Sequence, residues 1–272
     1  SNPSAWEFPI GTRLWKEFAM GRPIETRMIE RLADGSWRFA SYVWNDDGSD
    51  AVLAPADGIA GLTVDTAPAG RYAVPSEYDC RACHEGGSTP ILGFSALQLS
   101  PDRDPLGPHA PPQTAEDVDL HALVERGLLR KLPQALLDQP PRIAAASPEE
   151  RAALGYLHGN CGHCHSDPGE TGAAVPVDVL LAQDVRDPMS AGKVLRSLLD
   201  VVSRFRGAGS EDDARVVVPG HAQRSVLVAR MRSRDPRTQM PPLGTAIPDS
   251  QSLALIERWI NQLPPVTKEK QP

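Results

Sequence analysis

Two short stretches of the chain have the same arrangement of cysteine and histidine. Cys80-Arg81-Ala82-Cys83-His84 and Cys161-Gly162-His163-Cys164-His165 both read Cys-x-x-Cys-His. In this pattern two thiols can add to the vinyl groups of a porphyrin, while the adjoining histidine ligates the iron. The sequence therefore predicts two covalently attached haem c groups. The cysteines would hold the porphyrins, and His84 and His165 would be the proximal iron ligands.

Paired cysteines also serve other chemistries, which the pattern does not favour. Exported proteins use them as disulfides, cytosolic proteins as zinc ligands, and thioredoxin-like proteins as redox pairs. None of these uses predicts a histidine directly after each pair. All four cysteines of the chain fall in the two motifs, so none is left over for another role. A zinc or disulfide scaffold would make the two histidines a coincidence.

The charge balance indicates what kind of partner the protein meets. There are 28 lysines and arginines against 35 aspartates and glutamates, a net charge of −7 at pH 7, and haem propionates would add to it. This balance disfavours nucleic acid and anionic membranes as partners. We expect redox protein partners with a basic docking face.

The expected location of the protein depends on the haem motifs. Charged residues or prolines interrupt every apolar stretch before it reaches the roughly 18 residues of a membrane-spanning helix. The sequence begins Ser1-Asn2-Pro3-Ser4, without the basic and apolar regions of a secretory signal. Because haem is attached to such motifs outside the bacterial cytoplasm, we expect an exported, periplasmic protein whose signal peptide has been removed.

The first 75 residues have a strand-like pattern. Large apolar residues alternate along 37–44, and 24–31 is a second strand candidate, separated from the first by the turn-forming residues 33–36. These features predict an antiparallel hairpin. We expect residues 1–75 to form a β-rich segment packed on the first haem unit.

Helix-start signals precede both motifs. Ser76 is a candidate N-cap before Cys80, and Ser147-Pro148-Glu149-Glu150 has the pattern of a capping box before Cys161. A proline-containing stretch at 132–141 separates the two. The sequence therefore predicts a mainly α fold with two cytochrome c-like helical haem units, at 76–140 and 141–272, the first preceded by the small antiparallel β segment.

The C-terminal half of the chain resembles a class I cytochrome c domain. Cys161 to His165 are followed by Met240-Pro241-Pro242-Leu243-Gly244 and by a helix, capped at Asp249, that ends near Trp259. This order resembles that of the family over residues 147–263, and it implies a helical fold with His165 as proximal and Met240 as distal ligand. The whole chain resembles, more loosely, dihaem cytochromes c of the bacterial periplasm.

The sixth ligand of the first haem stays open at this stage. His109 lies in a proline-rich loop before a helix, and His121 lies on that helix. Met28 lies in the N-terminal hairpin and could reach the iron from there. Met20 and Lys16 could also reach in from the hairpin. His109, Met28 and His121 rank nearly equal, with Lys16 behind them. An empty sixth position is a further alternative.

Two functions are compatible with these residues. The first is an electron-transfer protein in which two haems of different potential carry single electrons between redox proteins. The second is a dihaem peroxidase-like or oxygenase-like enzyme, in which a first haem without a sixth ligand is open to peroxide or oxygen. The sequence favours the electron carrier because the second haem has a complete pair of candidate ligands, His165 and Met240. An electron carrier also needs no substrate pocket.

Overall fold

Two antiparallel sheets are formed by the N-terminal part of the chain in the computed structural model, which describes residues 2–87, 89–108, 117–166, 179–205 and 214–265. The larger sheet has four strands in the order β1-β2-β3-β4, and the smaller pairs β5 with β6. The strands are β1 (Arg13–Ala19), β2 (Pro23–Arg31), β3 (Trp37–Trp44), β4 (Ala51–Leu53), β5 (Ile59–Thr63) and β6 (Arg71–Val74).

The hairpin between β2 and β3 is closed by local turn chemistry. The side chain of Asp34 accepts hydrogen bonds from the backbone N–H of Ser36 at 2.9 Å and from its hydroxyl at 2.6 Å. Gly35 has φ +85°, which glycine adopts without steric cost. The turn sets a register in which Ile29 lies opposite Phe39. Both strands predicted from the alternating pattern are therefore present.

The prediction of a mainly α fold is wrong. Of the described residues, 29% are helical and 17% are in β structure. The difference arises because the N-terminal β region is not one hairpin: β1 and β4 extend it to a four-stranded sheet, and β5 and β6 form a second sheet. Short three- to five-residue strands such as β4 and β5 have too little alternation to be recognised in a sequence.

Seven α-helices are found in the described part of the chain. Side-chain caps begin the helices that lead into the motifs: the hydroxyl of Ser76 accepts from the N–H of Asp79 at 3.1 Å, and that of Ser147 from Glu150 at 3.1 Å. The helices are α1 (Glu77–His84), α2 (Leu120–Glu125), α3 (Ala135–Asp138), α4 (Pro148–Cys161), α5 (Ser190–Leu198), α6 (Val226–Arg232) and α7 (Ser250–Gln262).

The main core lies between α4 and α7. Leu154, Leu157, Leu255 and Ile256 are at most 1% exposed. Trp259 completes this contact, and its indole N–H lies 3.4 Å from the buried carboxylate of Glu150. Because α4 ends in the second motif, the packing of α4 on α7 also determines where that motif lies.

Among the described residues, no helix has the length and apolar character that crossing a bilayer requires.

We predict that Leu154→Ala lowers the free energy of unfolding by about 2–5 kcal/mol, because it leaves a cavity in a fully buried contact. Urea denaturation followed by circular dichroism measures the change. Leu128→Ala is the matched control, since Leu128 is 70% exposed and its loss is expected to change stability by less than about 0.5 kcal/mol. Equal losses in both variants would contradict the assignment of the core.

Candidate haem-binding sites

The second motif lies at the C-terminal end of α4, and its histidine is held in one orientation. His165 Nδ1 lies 3.1 Å from the carbonyl oxygen of Val179, to which it donates. The segment that follows Val179 also binds the motif. The N–H groups of Leu181 and Ala182 donate to the His165 carbonyl at 2.7 and 3.0 Å. A histidine that bonds to a carbonyl through one nitrogen presents the other to a metal. Nε2 of His165 is therefore the atom available to iron.

A cavity of about 290 Å³, here called the Met240 cavity, brings the residues of the second site together. Cys161, His165 and Met240 all line it. Met240 is held there by its backbone N–H, which donates to the carbonyl of Arg230 on α6 at 3.0 Å. Further lining comes from apolar side chains on three segments: Val179, Leu181, Val216, Val226 and Leu227. A histidine nitrogen, a thioether and a thiol thus share one largely apolar space.

Two arginines give the Met240 cavity a positive character. The Arg230 guanidinium lies 4.2 Å from the centre of the Phe205 ring, and burial lowers its pKa. Arg234 lines the cavity as well, and its Nε is buried without a hydrogen-bond partner. A buried donor of this kind is costly unless an acceptor reaches it. A carboxylate of a bound group, such as a haem propionate, would satisfy it.

These residues fit a covalently attached haem. Burial raises the pKa of Cys161 to about 12, so its side chain is a neutral thiol in apolar surroundings. Burial also lowers the pKa of His165, which favours the neutral imidazole that binds metals. The Cys161 thiol, the free Nε2 atom, the thioether of Met240 and the unpartnered Arg234 nitrogen are groups of the kinds that such a haem would contact.

The first motif lies on α1, and its histidine is oriented in the same way. His84 Nδ1 lies 2.7 Å from the carbonyl oxygen of Pro90 and donates to it. The His84 ring packs on the ring of Phe39 in β3, with centres 5.5 Å apart. The Arg81 guanidinium lies over the Phe39 ring and donates to the carbonyl of Trp37 at 3.3 Å. The four-stranded sheet therefore supports α1 directly.

A buried charge network lies next to the first motif. Glu25 is fully buried and accepts two hydrogen bonds from Arg27, at 2.8 and 2.9 Å, and one from the Tyr72 hydroxyl at 2.7 Å. Burial raises the pKa of Cys80, and Arg27 opposes this rise. No pattern in the sequence predicts this network. The only signal was two opposite charges two residues apart, which in a strand lie on one face.

The structure separates the candidates for the sixth ligand of the first haem by sheet face. Met28 lies opposite Trp15 and Ala40, whereas Phe39 lies opposite Ile29. Because side chains alternate between faces along a strand, Met28 projects from the face that does not contact His84. It is also buried there, at 4% exposure.

Lys16 is on the other face. It lies opposite Arg27 in the sheet, on the face that carries Phe39, and its charge contributes to the lowered pKa of His84, of which burial is the main cause. Met20 packs against the small apolar cluster of Ile24 and its neighbours.

The remaining two candidates are the histidines. His121 is exposed on α2. His109 lies outside the described residues.

The two motifs lie close to one another, which the sequence did not indicate. A side chain at Gly86 would place its Cβ 3.3 Å from the carbonyl oxygen of His163, so glycine permits this close approach. Burial lowers the pKa of His163, with smaller contributions from the charges of His84 and His165. The two attachment sites are therefore neighbours.

The four cysteines are unpaired and are not part of a larger cluster of metal-ligating side chains in the described ranges. All four cysteines are free thiols. In the described ranges no group of three or more histidine, cysteine, aspartate or glutamate side chains is placed to hold a metal ion. A site built from one histidine and a methionine, as in the Met240 cavity, does not require such a group.

A family model described as Planctomycete cytochrome C matches residues 198–244. The matched region includes α6, Arg230 and Met240, and it ends before α7. Residues 198–244 are thus a cytochrome c-like region, which supports haem c as the cofactor. Searches of curated proteins and of solved structures found no match to this chain.

We predict that Met240→Ala lowers the reduction potential of one haem by on the order of 0.1 V and leaves the other nearly unchanged, because a neutral thioether ligand favours ferrous iron. Spectroelectrochemical titration measures both potentials. Met189→Ala is the control, since Met189 is 57% exposed, and it should alter neither. Equal shifts of both haems in Met240→Ala would refute the assignment of Met240 as ligand.

Proposed function

We propose that the chain is a dihaem c-type cytochrome that carries single electrons between redox proteins in the periplasm. The observation that supports this most directly is the Met240 cavity, where a candidate proximal histidine, a candidate distal methionine and a motif cysteine meet. The match of residues 198–244 to a cytochrome c family agrees with it.

The proposed roles of the residues follow from their chemistry. Haem c, when bound, supplies a reversible one-electron couple. Cys80, Cys83, Cys161 and Cys164 would hold the two porphyrins through thioether bonds. Val179 and Pro90 fix the imidazoles of His165 and His84 through their carbonyls, so that each Nε2 is directed away from its loop. Rigid, preset ligands suit electron transfer because little has to move when the charge of the site changes.

The contact between the motifs supports a two-site carrier. Gly86 and the His163 carbonyl bring the two attachment sites side by side. At the second site, the apolar lining and the thioether of Met240 favour the reduced state. At the first site, Lys16 and the Arg27–Glu25 network place charged groups near the motif. Different surroundings of this kind support two different potentials.

The partners and the location follow from charge and motif. A net charge of −7 favours redox partners with a basic docking face, since opposite charges increase the rate of encounter. Haem attachment to Cys-x-x-Cys-His sites outside the cytoplasm supports a periplasmic location.

For the first haem we propose Lys16 as the sixth ligand. Among the candidates in the described ranges, it is on the sheet face that contacts His84, and its long side chain ends in a nitrogen that can bind iron once deprotonated. The alternative function, a peroxidase-like or oxygenase-like enzyme, requires instead that this position is open.

We predict two haems per chain. Absorbance of the alkaline pyridine haemochrome, divided by protein concentration, measures the number. The double variant Cys80→Ala/Cys83→Ala should retain one haem, and so should Cys161→Ala/Cys164→Ala. A colourless wild-type protein would refute the proposed function, and a single haem in the wild type would refute its dihaem form.

We predict that Lys16→Ala converts one ferric haem from low spin to high spin and lets one reduced haem bind carbon monoxide, because it removes a ligand. Absorption and electron paramagnetic resonance spectra measure both effects. Met28→Leu is the matched control from the other face of the same sheet and should leave the spectra unchanged.

The same experiment separates the alternatives. If His109→Ala causes the change to high spin and Lys16→Ala does not, the sixth ligand of the first haem is His109. Rapid binding of carbon monoxide by the wild-type protein would show an open first haem and favour the enzyme.

A further inference from the structure

The strand β1 forms one edge of the four-stranded sheet. One side of it pairs with β2, and no described strand lies on its outer side. The N–H group of Arg31 in β2 donates to the carbonyl of Thr12, directly before β1, so the backbone groups of Thr12 face β2. Because this direction alternates along a strand, the N–H and C=O groups of Arg13, Trp15 and Glu17 point outward. β1 therefore presents a row of backbone groups to which a further strand can bind.

An exposed apolar patch reaches this edge of the sheet. Trp15 in β1 is 56% exposed, and its ring centre lies 5.8 Å from that of Tyr42 in β3. Leu53 in β4, opposite Tyr42, is 63% exposed. All three side chains lie on the face of the sheet that turns away from His84, since side chains alternate between the faces of a strand. Exposed apolar patches of this kind mark surfaces that another chain covers.

The side chains of β1 are complementary to a second copy of the same strand. When two copies pair antiparallel with Trp15 opposite Trp15, Arg13 of each copy lies opposite Glu17 of the other. Opposite charges directly across two strands are favourable, whereas like charges are unfavourable. On the other face this register places Leu14 opposite Lys16, whose apolar stem can pack on it. The arrangement has two-fold symmetry, so each of these contacts occurs twice.

The neighbouring registers lack this complementarity. A pair centred on Lys16 places its ammonium group opposite the same group of the second copy, and a pair centred on Glu17 does the same with two carboxylates. A pair centred on Leu14 leaves Glu17 opposite Gly11, outside the strand. The charges therefore favour the register that is centred on Trp15.

We propose that the chain forms a symmetric dimer in which the β1 strands of two copies pair antiparallel with Trp15 opposite Trp15, joining the two four-stranded sheets into one. Both charged groups of this pairing are accessible. The Arg13 side chain is 59% exposed while its Nε bonds Glu30 at 2.7 Å, and Glu17 is exposed. The proposal does not depend on the electron-transfer function, because it concerns only the edge of the N-terminal sheet.

Sedimentation equilibrium of the full, haem-loaded chain over a range of concentrations tests the proposal. We expect a concentration-dependent dimer. Glu17→Arg places arginine opposite arginine at both ends of the pairing and should weaken the dimer by about tenfold or more, since two favourable charge pairs become unfavourable. Glu125→Arg makes the same change at an exposed position on α2. It is the matched control and should dimerise as the wild type does.

The double variant Arg13→Glu/Glu17→Arg tests the register, because it restores opposite charges across the interface. We expect it to dimerise more strongly than Glu17→Arg alone. A wild-type chain that stays monomeric, or a Glu17→Arg variant that dimerises as the wild type does, would overturn the proposal. A double variant as weak as Glu17→Arg would overturn the pairing at Trp15.

Glu17→Pro provides a test that does not depend on charge. Proline at this position removes an N–H group that points outward, so β1 can still pair with β2, and circular dichroism checks that the sheet is intact. We expect this variant to be monomeric. A dimer that survives the substitution would overturn the proposal, and this test still decides the outcome if the change at Arg13 disturbs the sheet through Glu30.

Discussion

Each motif histidine is oriented by one hydrogen bond from Nδ1 to a backbone carbonyl, and both candidate haem sites depend on this bond. In the second site the acceptor is Val179, and in the first it is Pro90. The bond selects the tautomer, holds the ring plane and leaves Nε2 for the metal. The loop that carries each carbonyl then continues along the wall of one shared cavity of about 410 Å³, which Ile91 and Leu180 line.

The two sites reach this common arrangement through different supports. The second motif ends a long helix whose apolar face packs on α7, so its position is determined by the main hydrophobic core. The first motif lies on the short helix α1, which has no buried residues of its own. It is held instead by Phe39 and Trp37 of the sheet. The N-terminal sheets thus supply for the first site what α7 supplies for the second.

The different supports also give the sites different electrostatic surroundings. The second site is lined by apolar side chains, the Met240 thioether, Arg230 and Arg234. Around the first lie Lys16 and a fully buried glutamate, which Arg27 and Tyr72 satisfy with three hydrogen bonds. A buried carboxylate without these partners would cost several kilocalories per mole. The network is therefore a strong constraint on the sheet face next to α1.

The sequence by itself determined the features that depend on neighbours in the chain. Both motifs, the N-caps at Ser76 and Ser147, and the strands β2 and β3 could be predicted because cap, turn and alternation signals act over a few residues. The mainly α fold was wrong, because short strands such as β4 become stable only by pairing with distant segments.

Tertiary structure alone decided which distant groups meet. Met28 and Lys16 were both possible ligands in the sequence, and only the register of β1, β2 and β3 placed them on opposite faces of the sheet. The contact of Gly86 with His163 and the Glu25 network likewise involve residues far apart in the chain or in different elements. Such contacts are set by packing, in which burial and hydrogen bonding of all the elements are satisfied together, and no local pattern encodes them.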